Sequence, residues 1–374
     1  MVDVMKKKVL FVSNVTAGLV SFRFELIEKL VETCDVTIMA SDNGRLEKLT
    51  ELGCKFIPTE FDSHGTNLIN ELKLLNKYKR LIKAVDPDIV FTYTIKPNVY
   101  AGMACAALNI PYVANVTGLG TALENPGVMQ KITSVLYKKG LKKAQKIFFQ
   151  NSANRDFMVS RGIVKKNYDL IPGSGVNLQK FYLLDYPQGD TVDFTFISRV
   201  MKEKGIDQFL EAAEFIRNKY PNTRFHVCGN CEQAYEERLK ELNDCTVIIY
   251  HGRIDDVAEI HRISACTIHP TYYPEGMSNV LLESCACGRP IITTNRPGCK
   301  EIVDDGINGL VVEEKNSQDL IEKIETFLKL SWEERRQMGL AGRTKVEKEF
   351  DRQIVIDKYF GELEKCRKLE SFSL

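Results

Sequence analysis

The sequence predicts an α/β protein with two domains, each built on a doubly wound parallel sheet. Three observations support this prediction. Short apolar runs alternate with helical patterns from the N-terminus, a second series of the same kind begins after residue 190, and the 374 residues suit two domains of about 150 residues or more. The runs are continuously apolar rather than alternating, which is typical of strands buried on both faces. Repeated strand–helix alternation favours right-handed crossovers in a parallel sheet.

The first series contains six predicted strands and four predicted helices. The strands are expected at 9–13, 36–40, 55–58, 89–93, 112–115 and 147–150, and the helices at 22–31, 68–84, 99–108 and 129–142. The second series has strands at 193–198, 224–228, 247–250, 266–269 and 290–293, with helices at 206–219, 231–242, 257–263 and 280–287. The stretch 332–374 is helical, charged and without a strand.

The segments 172–175 and 182–189 are rich in turn residues, so we place a hinge there. We therefore expect an N-terminal domain at 1–185 and a C-terminal domain at 186–350. A helical segment at 351–374 is expected to pack back on the first domain.

Composition excludes several classes of protein. The chain has 51 Lys and Arg against 50 Asp and Glu, a net charge of +1, with 44% hydrophobic residues, so it is neither disordered nor a strongly basic nucleic-acid binder. Eleven scattered cysteines indicate free thiols in a reducing compartment; Cys228 and Cys231 have redox or zinc spacing, but no second pair accompanies them. No apolar run is long enough for a signal core or a membrane span, so we expect a soluble cytoplasmic protein.

Ligands of such sheets bind at the carboxyl ends of the strands, where the chain carries unusual residues. Gly18 follows the first strand in a loop that can present backbone N–H groups to an anion, with an ordinary tight turn as the alternative. A second glycine-rich loop runs from Asn115 through Thr117 and Gly118 to Gly120. The spaced glycines of a dinucleotide fingerprint are missing, which argues against a dehydrogenase.

Two cations follow the first strand of the second series. Arg199 ends that strand and Lys204 stands five residues later at the start of a helix. Arginine offers phosphate oxygens a planar fork and lysine a mobile point charge. A solvated charge cluster is the alternative interpretation.

The segment from His269 to Glu283 follows a strand and enters a helix at about Asn279. The free N–H groups at the start of this helix suit an oligophosphate, and they belong to Ser278, Asn279 and Val280. Glu283 can accept hydrogen bonds from two vicinal hydroxyls, as ribose offers, and Glu275 can hold sugar hydroxyls. The alternative is an exposed glutamate in a loop and another on a helix face.

Taken together, Glu275 and Glu283 in E-x7-E spacing, with Arg199 and Lys204 upstream, resemble the retaining glycosyltransferases of family 4, which have the GT-B fold. The resemblance is strongest over residues 195–315. It implies that the domain at 1–185 binds the acceptor and that the domain at 186–350 binds the nucleotide-sugar donor. It implies that Arg199 and Lys204 bind the donor diphosphate, while Glu283 binds the ribose. It further implies that Glu275, with the N–H groups of Gly276, Met277 and Ser278, holds the donor sugar. Arg253 and Ile254 would lie near the base, and Gly18 would approach the diphosphate or the acceptor.

One departure from the family pattern concerns the N-terminal domain. Many members carry a histidine there that faces the donor sugar, whereas the matching loops here offer Lys96, Asn98 or Thr117 instead. Residues 20–23 and 117–120 are similar to a subgroup that transfers N-acetylhexosamine or uronic acid to polyprenyl-diphosphate-linked sugars. The resemblance thus implies a UDP-sugar donor, with N-acetylgalactosamine first, a lipid-linked glycan acceptor and no cofactor.

The two cations are expected to replace a divalent metal at the leaving diphosphate. The pair Asp255 and Asp256 is the one metal candidate, but it has the pattern of a first helical turn. A GT-B epimerase or hydrolase of nucleotide sugars, and a non-catalytic nucleotide-sugar-binding regulator, stay open as alternatives.

The segment from Met129 to Lys146 carries six lysines and no acid, with Ile132, Val135 and Leu136 on one helical face. Such a helix can lie on an anionic membrane surface, which would make the protein peripheral on the inner face of the membrane. The alternative is a solvated helix that packs its apolar face inward.

Overall fold

The computed structural model describes residues 6–59, 68–120, 123 and 126–370. The chain divides into an N-terminal unit, Met1–Ser174 with Gln353–Leu374, and a C-terminal unit, Gly175–Arg352. Residues 175–185, which the sequence assigned to the first domain, thus belong to the second. Backbone hydrogen bonds explain the difference, since the Val176 N–H donates to the Phe350 carbonyl at 2.8 Å and the Arg352 N–H donates to the Val176 carbonyl at 3.1 Å.

The N-terminal unit contains a seven-stranded sheet in which every pairing is parallel, with the order β3-β2-β1-β4-β5-β6-β7. The order reverses between β1 and β4, so a crevice for ligands is expected at the carboxyl ends of these two strands. The strands are β1 (Lys7–Val15), β2 (Cys34–Ser41), β3 (Lys55–Pro58), β4 (Ile89–Tyr93), β5 (Tyr112–Val116), β6 (Lys146–Phe149) and β7 (Tyr168–Leu170).

Helices cover this sheet, and most follow the predicted periodicity. They are α1 (Thr16–Phe22), α2 (Phe24–Thr33), α3 (Glu47–Glu51), α4 (Leu68–Val85), α5 (Gly102–Leu108), α6 (Val128–Leu141) and α7 (Ser152–Ser160), with a π-helical turn at Pro97–Ala101. One prediction is wrong here. The chain enters α1 directly from β1, so Gly18 lies inside a helix rather than in a loop. The single glycine suggested a turn, but β1 and α1 adjoin with no loop between them.

The last helix, α14 (Arg352–Glu370), packs on the N-terminal unit. Its Tyr359 ring is 1% exposed and lies edge-on against Phe91 at 5.0 Å between centroids. Residues 371–374 of the expected helical segment lie outside the described residues.

The C-terminal unit repeats the architecture with a six-stranded parallel sheet of order β10-β9-β8-β11-β12-β13. Its order reverses between β8 and β11, which places a second ligand crevice beyond those strands. The strands are β8 (Val192–Ile197), β9 (Thr223–Cys228), β10 (Ile249–Gly252), β11 (Cys266–His269), β12 (Ile291–Thr294) and β13 (Gly309–Val312), and the helices are α8 (Ile206–Lys219), α9 (Glu236–Asp244), α10 (Val257–Ile263), α11 (Asn279–Ala286), α12 (Ser317–Lys329) and α13 (Trp332–Glu349).

Both sheets are buried on their two faces, as the continuous apolar runs predict. All residues of β4, β5, β11 and β12 are buried. All eleven cysteines are free. Within the described parts of the chain, no helix is both long and apolar enough to cross a bilayer, and no three His, Cys, Asp or Glu side chains are grouped to hold a metal ion.

Candidate active site

The loops after β8 and β11 hold the predicted cations and one predicted carboxylate. Lys204 closes a short 3-10 turn, Lys202–Lys204, and its ammonium forms an ion pair with the Glu275 carboxylate. Both side chains are largely shielded from solvent, with exposures of 10% and 16%. Two residues that are 71 positions apart are thus in contact because their strands are neighbours in the sheet.

Close backbone contacts fix the turn that carries Lys204. Gly205 has a φ of +78°, and a Cβ atom at this position would lie 2.2 Å from the Pro270 carbonyl oxygen. The Tyr272 N–H donates to the Glu203 carbonyl at 2.9 Å. The turn after β8 and the loop after β11 therefore hold each other in place, and only glycine fits at 205.

Arg199 joins this group through an aromatic ring that sequence reasoning missed. Its guanidinium carbon lies 5.7 Å from the centroid of Tyr273, and the Lys204 Nζ lies 4.7 Å from the same ring. Arg199 is exposed, so its charge faces solvent and is accessible to a ligand. A tyrosine in a loop has no distinctive spacing that would have indicated this role.

Glu275 is surrounded by groups that favour its charged form. Burial alone would raise the pKa of Glu275, but the neighbouring His269 imidazole and the Lys204 ammonium outweigh burial and hold that pKa at about 2. Glu275 is therefore a carboxylate at neutral pH and can only accept hydrogen bonds, as from sugar hydroxyls.

The start of α11 differs in part from the prediction. The Ser278 N–H is not free, because it donates to the Gly298 carbonyl at 2.8 Å. The first-turn N–H groups of Asn279 and Val280 have no partner within the helix. The Ser278 hydroxyl and the Asn279 side-chain oxygen are buried, and neither has a hydrogen-bond partner among the described residues. Such unpaired polar groups favour a ligand at this helix start.

Glu283 lies one turn into α11 and is half-buried. Burial raises the pKa of Glu283 to about 7, against the opposing effect of the Lys180 and Arg352 charges. No described residue hydrogen-bonds to its carboxyl group, so this group is available to a ligand. Gly276 and Met277 lie between the two glutamates and are buried.

Arg253 follows β10 and lines an open pocket of about 730 Å³, together with Asn230, Cys231 and Tyr250. Ile254 is half-buried and is not among the residues that line this pocket. The pocket lies beside the carboxyl ends of β9 and β10 and does not include Arg199, Lys204 or Glu275.

In the N-terminal unit the predicted site residues are less suited to binding a substrate. Asn115 lies within β5 and is fully buried. Its side-chain amide donates to the Tyr359 hydroxyl at 2.8 Å, and its side-chain oxygen accepts from Gln150 at 3.4 Å. These bonds assign Asn115 to the core rather than to a substrate. Thr117 and Gly118 follow the strand and are half-buried.

The three residues offered in place of the missing histidine have different surroundings. Asn98 is fully buried and donates to the Asn115 backbone carbonyl at 2.8 Å. Lys96 lies 3.1 Å from the Glu71 carboxylate. Thr117 has a half-buried position at a strand end.

Two α/β units, each built on a parallel sheet, have the architecture of the GT-B class of glycosyltransferases. Comparisons with solved structures agree on the fold. A glycosyltransferase from Rickettsia africae matches with a TM-score of 0.79 at 20% identity, covering 97% of this chain and 99% of that chain. Anabaena HepE in complex with UDP and glucose matches with a TM-score of 0.78 at 16% identity, covering 96% and 99%.

Family models assign both halves of the chain. Residues 187–345 match the model described as glycosyl transferases group 1, and residues 8–151 match the model described as glycosyl transferase 4-like. The chain therefore belongs to this family of GT-B glycosyltransferases, as the E-x7-E segment indicated.

Curated relatives are similar over most of their length. The N,N'-diacetylbacillosaminyl-diphospho-undecaprenol α-1,3-N-acetylgalactosaminyltransferase of Campylobacter jejuni is 26% identical over 93% of this chain and 96% of its own. The capsular polysaccharide biosynthesis glycosyltransferase CapM of Staphylococcus aureus is 26% identical, covering 86% and 87%. The UDP-Gal:α-D-GlcNAc-diphosphoundecaprenol α-1,3-galactosyltransferase of Escherichia coli is 23% identical, covering 78% of each.

Proposed function

We propose that this chain is a retaining, metal-independent glycosyltransferase of surface-glycan synthesis. It moves an N-acetylhexosamine, with N-acetylgalactosamine as the first candidate, from a UDP-sugar to a polyprenyl-diphosphate-linked glycan. The observation that carries this proposal is the convergence of Arg199, Lys204 and Glu275 at the switch point of the C-terminal sheet. The relatives named for transfer to undecaprenyl-diphosphate-linked sugars support the donor and acceptor classes.

The cations account for the departure of the nucleotide. Negative charge collects on the diphosphate as the glycosidic bond breaks, and Arg199, Lys204 and the first turn of α11 are the groups that would stabilise it. Fixed cations of this kind supply the charge that a divalent metal supplies in other sites. We therefore expect transfer to proceed in the presence of a chelator.

The sugar itself is held by carboxylates. Glu275 accepts hydrogen bonds from the donor sugar and Glu283 from the ribose. The acceptor hydroxyl attacks the face from which the diphosphate leaves, and a phosphate oxygen takes its proton, so the anomeric configuration is retained. No second carboxylate is needed for this route, although Glu275 as a nucleophile would give the same stereochemistry.

A lipid-linked acceptor requires access to a membrane, and α6 carries a suitable surface. Four apolar side chains at helical spacing face outward, namely Val128 (73% exposed), Met129 (46%), Ile132 (47%) and Val135 (54%). The opposite face is buried through Thr133, Tyr137, Gly140 and Leu141. The alternative, in which this apolar face packs inward, holds only for Leu136, which packs partly against the core.

Exposed lysines surround this apolar stripe, at 131, 138, 139, 142 and 143. An apolar stripe among cations, with no acid between them, is typical of a helix that lies in the interface of an anionic bilayer. We infer that α6 places the enzyme on the inner face of the membrane beside its acceptor.

Replacing Ile132 and Val135 together by serine is expected to weaken binding to phosphatidylglycerol-containing vesicles at least about tenfold, since each aliphatic side chain contributes up to about 1.5–3 kcal/mol when buried. Sedimentation with vesicles measures this. The Leu72→Ser variant is the control, because Leu72 is 61% exposed on another helix of the same unit. Equal binding by all three proteins, or equal binding to pure phosphatidylcholine, would contradict a membrane role for α6.

A thermal-shift screen against UDP-, GDP-, ADP- and dTDP-sugars tests the donor class. Stabilisation by about 2.7 kcal/mol is expected at 100 times the dissociation constant. Only UDP-sugars should produce it. Stabilisation by a different nucleotide class alone would overturn the assignment of the donor.

The same measurement has an expected pH dependence. Because burial raises the pKa of Glu283 to about 7, the carboxyl group is protonated below that pH and then accepts ribose hydroxyls less well. Affinity for the UDP-sugar should therefore rise from pH 6 to pH 8 in the wild type. The Glu283→Gln variant should bind more weakly and lose this pH dependence.

A further inference from the structure

His269 has a buried side chain whose role in the fold is unexplained. It ends β11, its side chain is 2% exposed, and neither ring nitrogen has a hydrogen-bond partner among the described residues. A buried imidazole with both nitrogens unpaired destabilises a protein, and native structures contain few such groups. In a candidate active site, a ligand-dependent step can give such a group its partner.

The nearest charged groups lie in the candidate site. The His269 Nε2 lies 3.8 Å from Oε1 of Glu275, which is the oxygen that the Lys204 ammonium binds. This distance is longer than a direct hydrogen bond, although the ring is close enough to favour the charged form of Glu275. Burial lowers the pKa of His269, so the ring is neutral at neutral pH and has one N–H to donate. Among the described residues, Cys299 is another titratable group beside Glu275, and it is buried.

Binding of the donor changes which groups stabilise the charge of Glu275, an inference that rests on the function proposed above. Lys204 cannot fully neutralise Glu275 and the departing diphosphate at once. When it turns to the phosphates, a shielded carboxylate loses its strongest partner, and burial then favours protonation. A protonated Glu275 would no longer accept hydrogen bonds from the sugar with both oxygens.

We propose that His269 is the positioning residue of Glu275: it donates an Nε2–H hydrogen bond to the carboxylate once Lys204 has moved to the diphosphate. The contact needs only a small closure of the 3.8 Å gap. His269 thus keeps Glu275 ionised and directed at the donor sugar throughout transfer. In the resting enzyme the ring nitrogens of His269 are unpaired because Lys204 is still bound to Glu275.

Two substitutions at His269 test the proposal. In His269→Leu, kcat should fall between about tenfold and 100-fold, since a misplaced positioning group costs up to that much, and the melting temperature should stay equal or rise. The acid limb of its pH–rate profile should move to higher pH, because Glu275 then loses its proton only at higher pH. His269→Gln keeps an N–H donor and should restore most of the activity.

The matched control is His261→Leu. His261 is also fully buried with both ring nitrogens unpaired, but its ring packs edge-on against Phe181 at 6.1 Å between centroids. It should show wild-type kcat and an unchanged pH profile. A wild-type profile in His269→Leu, while Glu275→Ala is inactive, would overturn the role of His269 alone. Full activity in Glu275→Ala would instead overturn the proposed function.

Discussion

Replacing Lys204 by alanine is expected to lower kcat/KM for transfer by about 10²–10³-fold, the usual cost of removing one preorganised donor to a developing negative charge. The ammonium is held where the turn after β8 meets the loop after β11, and the Lys204 side chain is only 10% exposed. Its loss leaves the departing diphosphate with Arg199 and the α11 N-terminus alone. Steady-state kinetics with a UDP-sugar and a lipid-linked acceptor measures the effect.

The control for this variant stands two residues away. Lys202 lies in the same 3-10 turn and is exposed, so Lys202→Ala changes the net charge equally without touching Glu275. It should retain transfer within about twofold, as surface substitutions usually do. Equal losses in the two variants would mean that only the general positive charge of this region matters.

Replacing Glu275 by alanine is expected to abolish transfer while the protein stays folded. Glu275 is the carboxylate held ionised by its neighbours, with a pKa of about 2, and we assign it to the donor sugar rather than to the nucleotide. The variant should therefore bind UDP nearly as well as the wild type and lose the additional affinity for the UDP-sugar. Isothermal titration with both ligands separates the two contributions.

The pairing of Glu275 with Lys204 adds a second expectation. Residues that act as one unit lose activity together, so the double alanine variant should be little worse than the poorer single variant. Fully multiplicative losses would indicate that the two side chains act independently. Loss of UDP binding in Glu275→Ala would move the carboxylate to the nucleotide site.

Much of the fold could be predicted from the chain because its strands are continuously apolar. The strand Cys266–His269 and the helix Ile206–Lys219 lie where periodicity predicts them. The strands Tyr168–Leu170 and Gly309–Val312 were missed, since they are three and four residues long and lie at sheet edges. Their pairing is a tertiary effect with little local signal.

The candidate site was predictable to the extent that strand ends converge. The neighbouring positions of β8 and β11 explain why Lys204 and Glu275 meet. The hydrogen bond that the Ser278 N–H donates to the Gly298 carbonyl was not predictable, because Gly298 lies in a loop beyond β12. The contact of Tyr273 with both cations likewise follows from loop packing and has no sequence period.

The decisive measurement is acceptor-dependent transfer by the purified chain. The purified protein is supplied with UDP-N-acetylgalactosamine or another UDP-sugar and with a short polyprenyl-diphosphate-linked sugar, in the presence of EDTA. We expect UDP release that requires the acceptor, and an α-linked disaccharide by NMR, since the donor is α-linked. UDP release at the same rate without acceptor, yielding free or epimerised sugar, would contradict the transferase function, and a β-linked product would contradict retention.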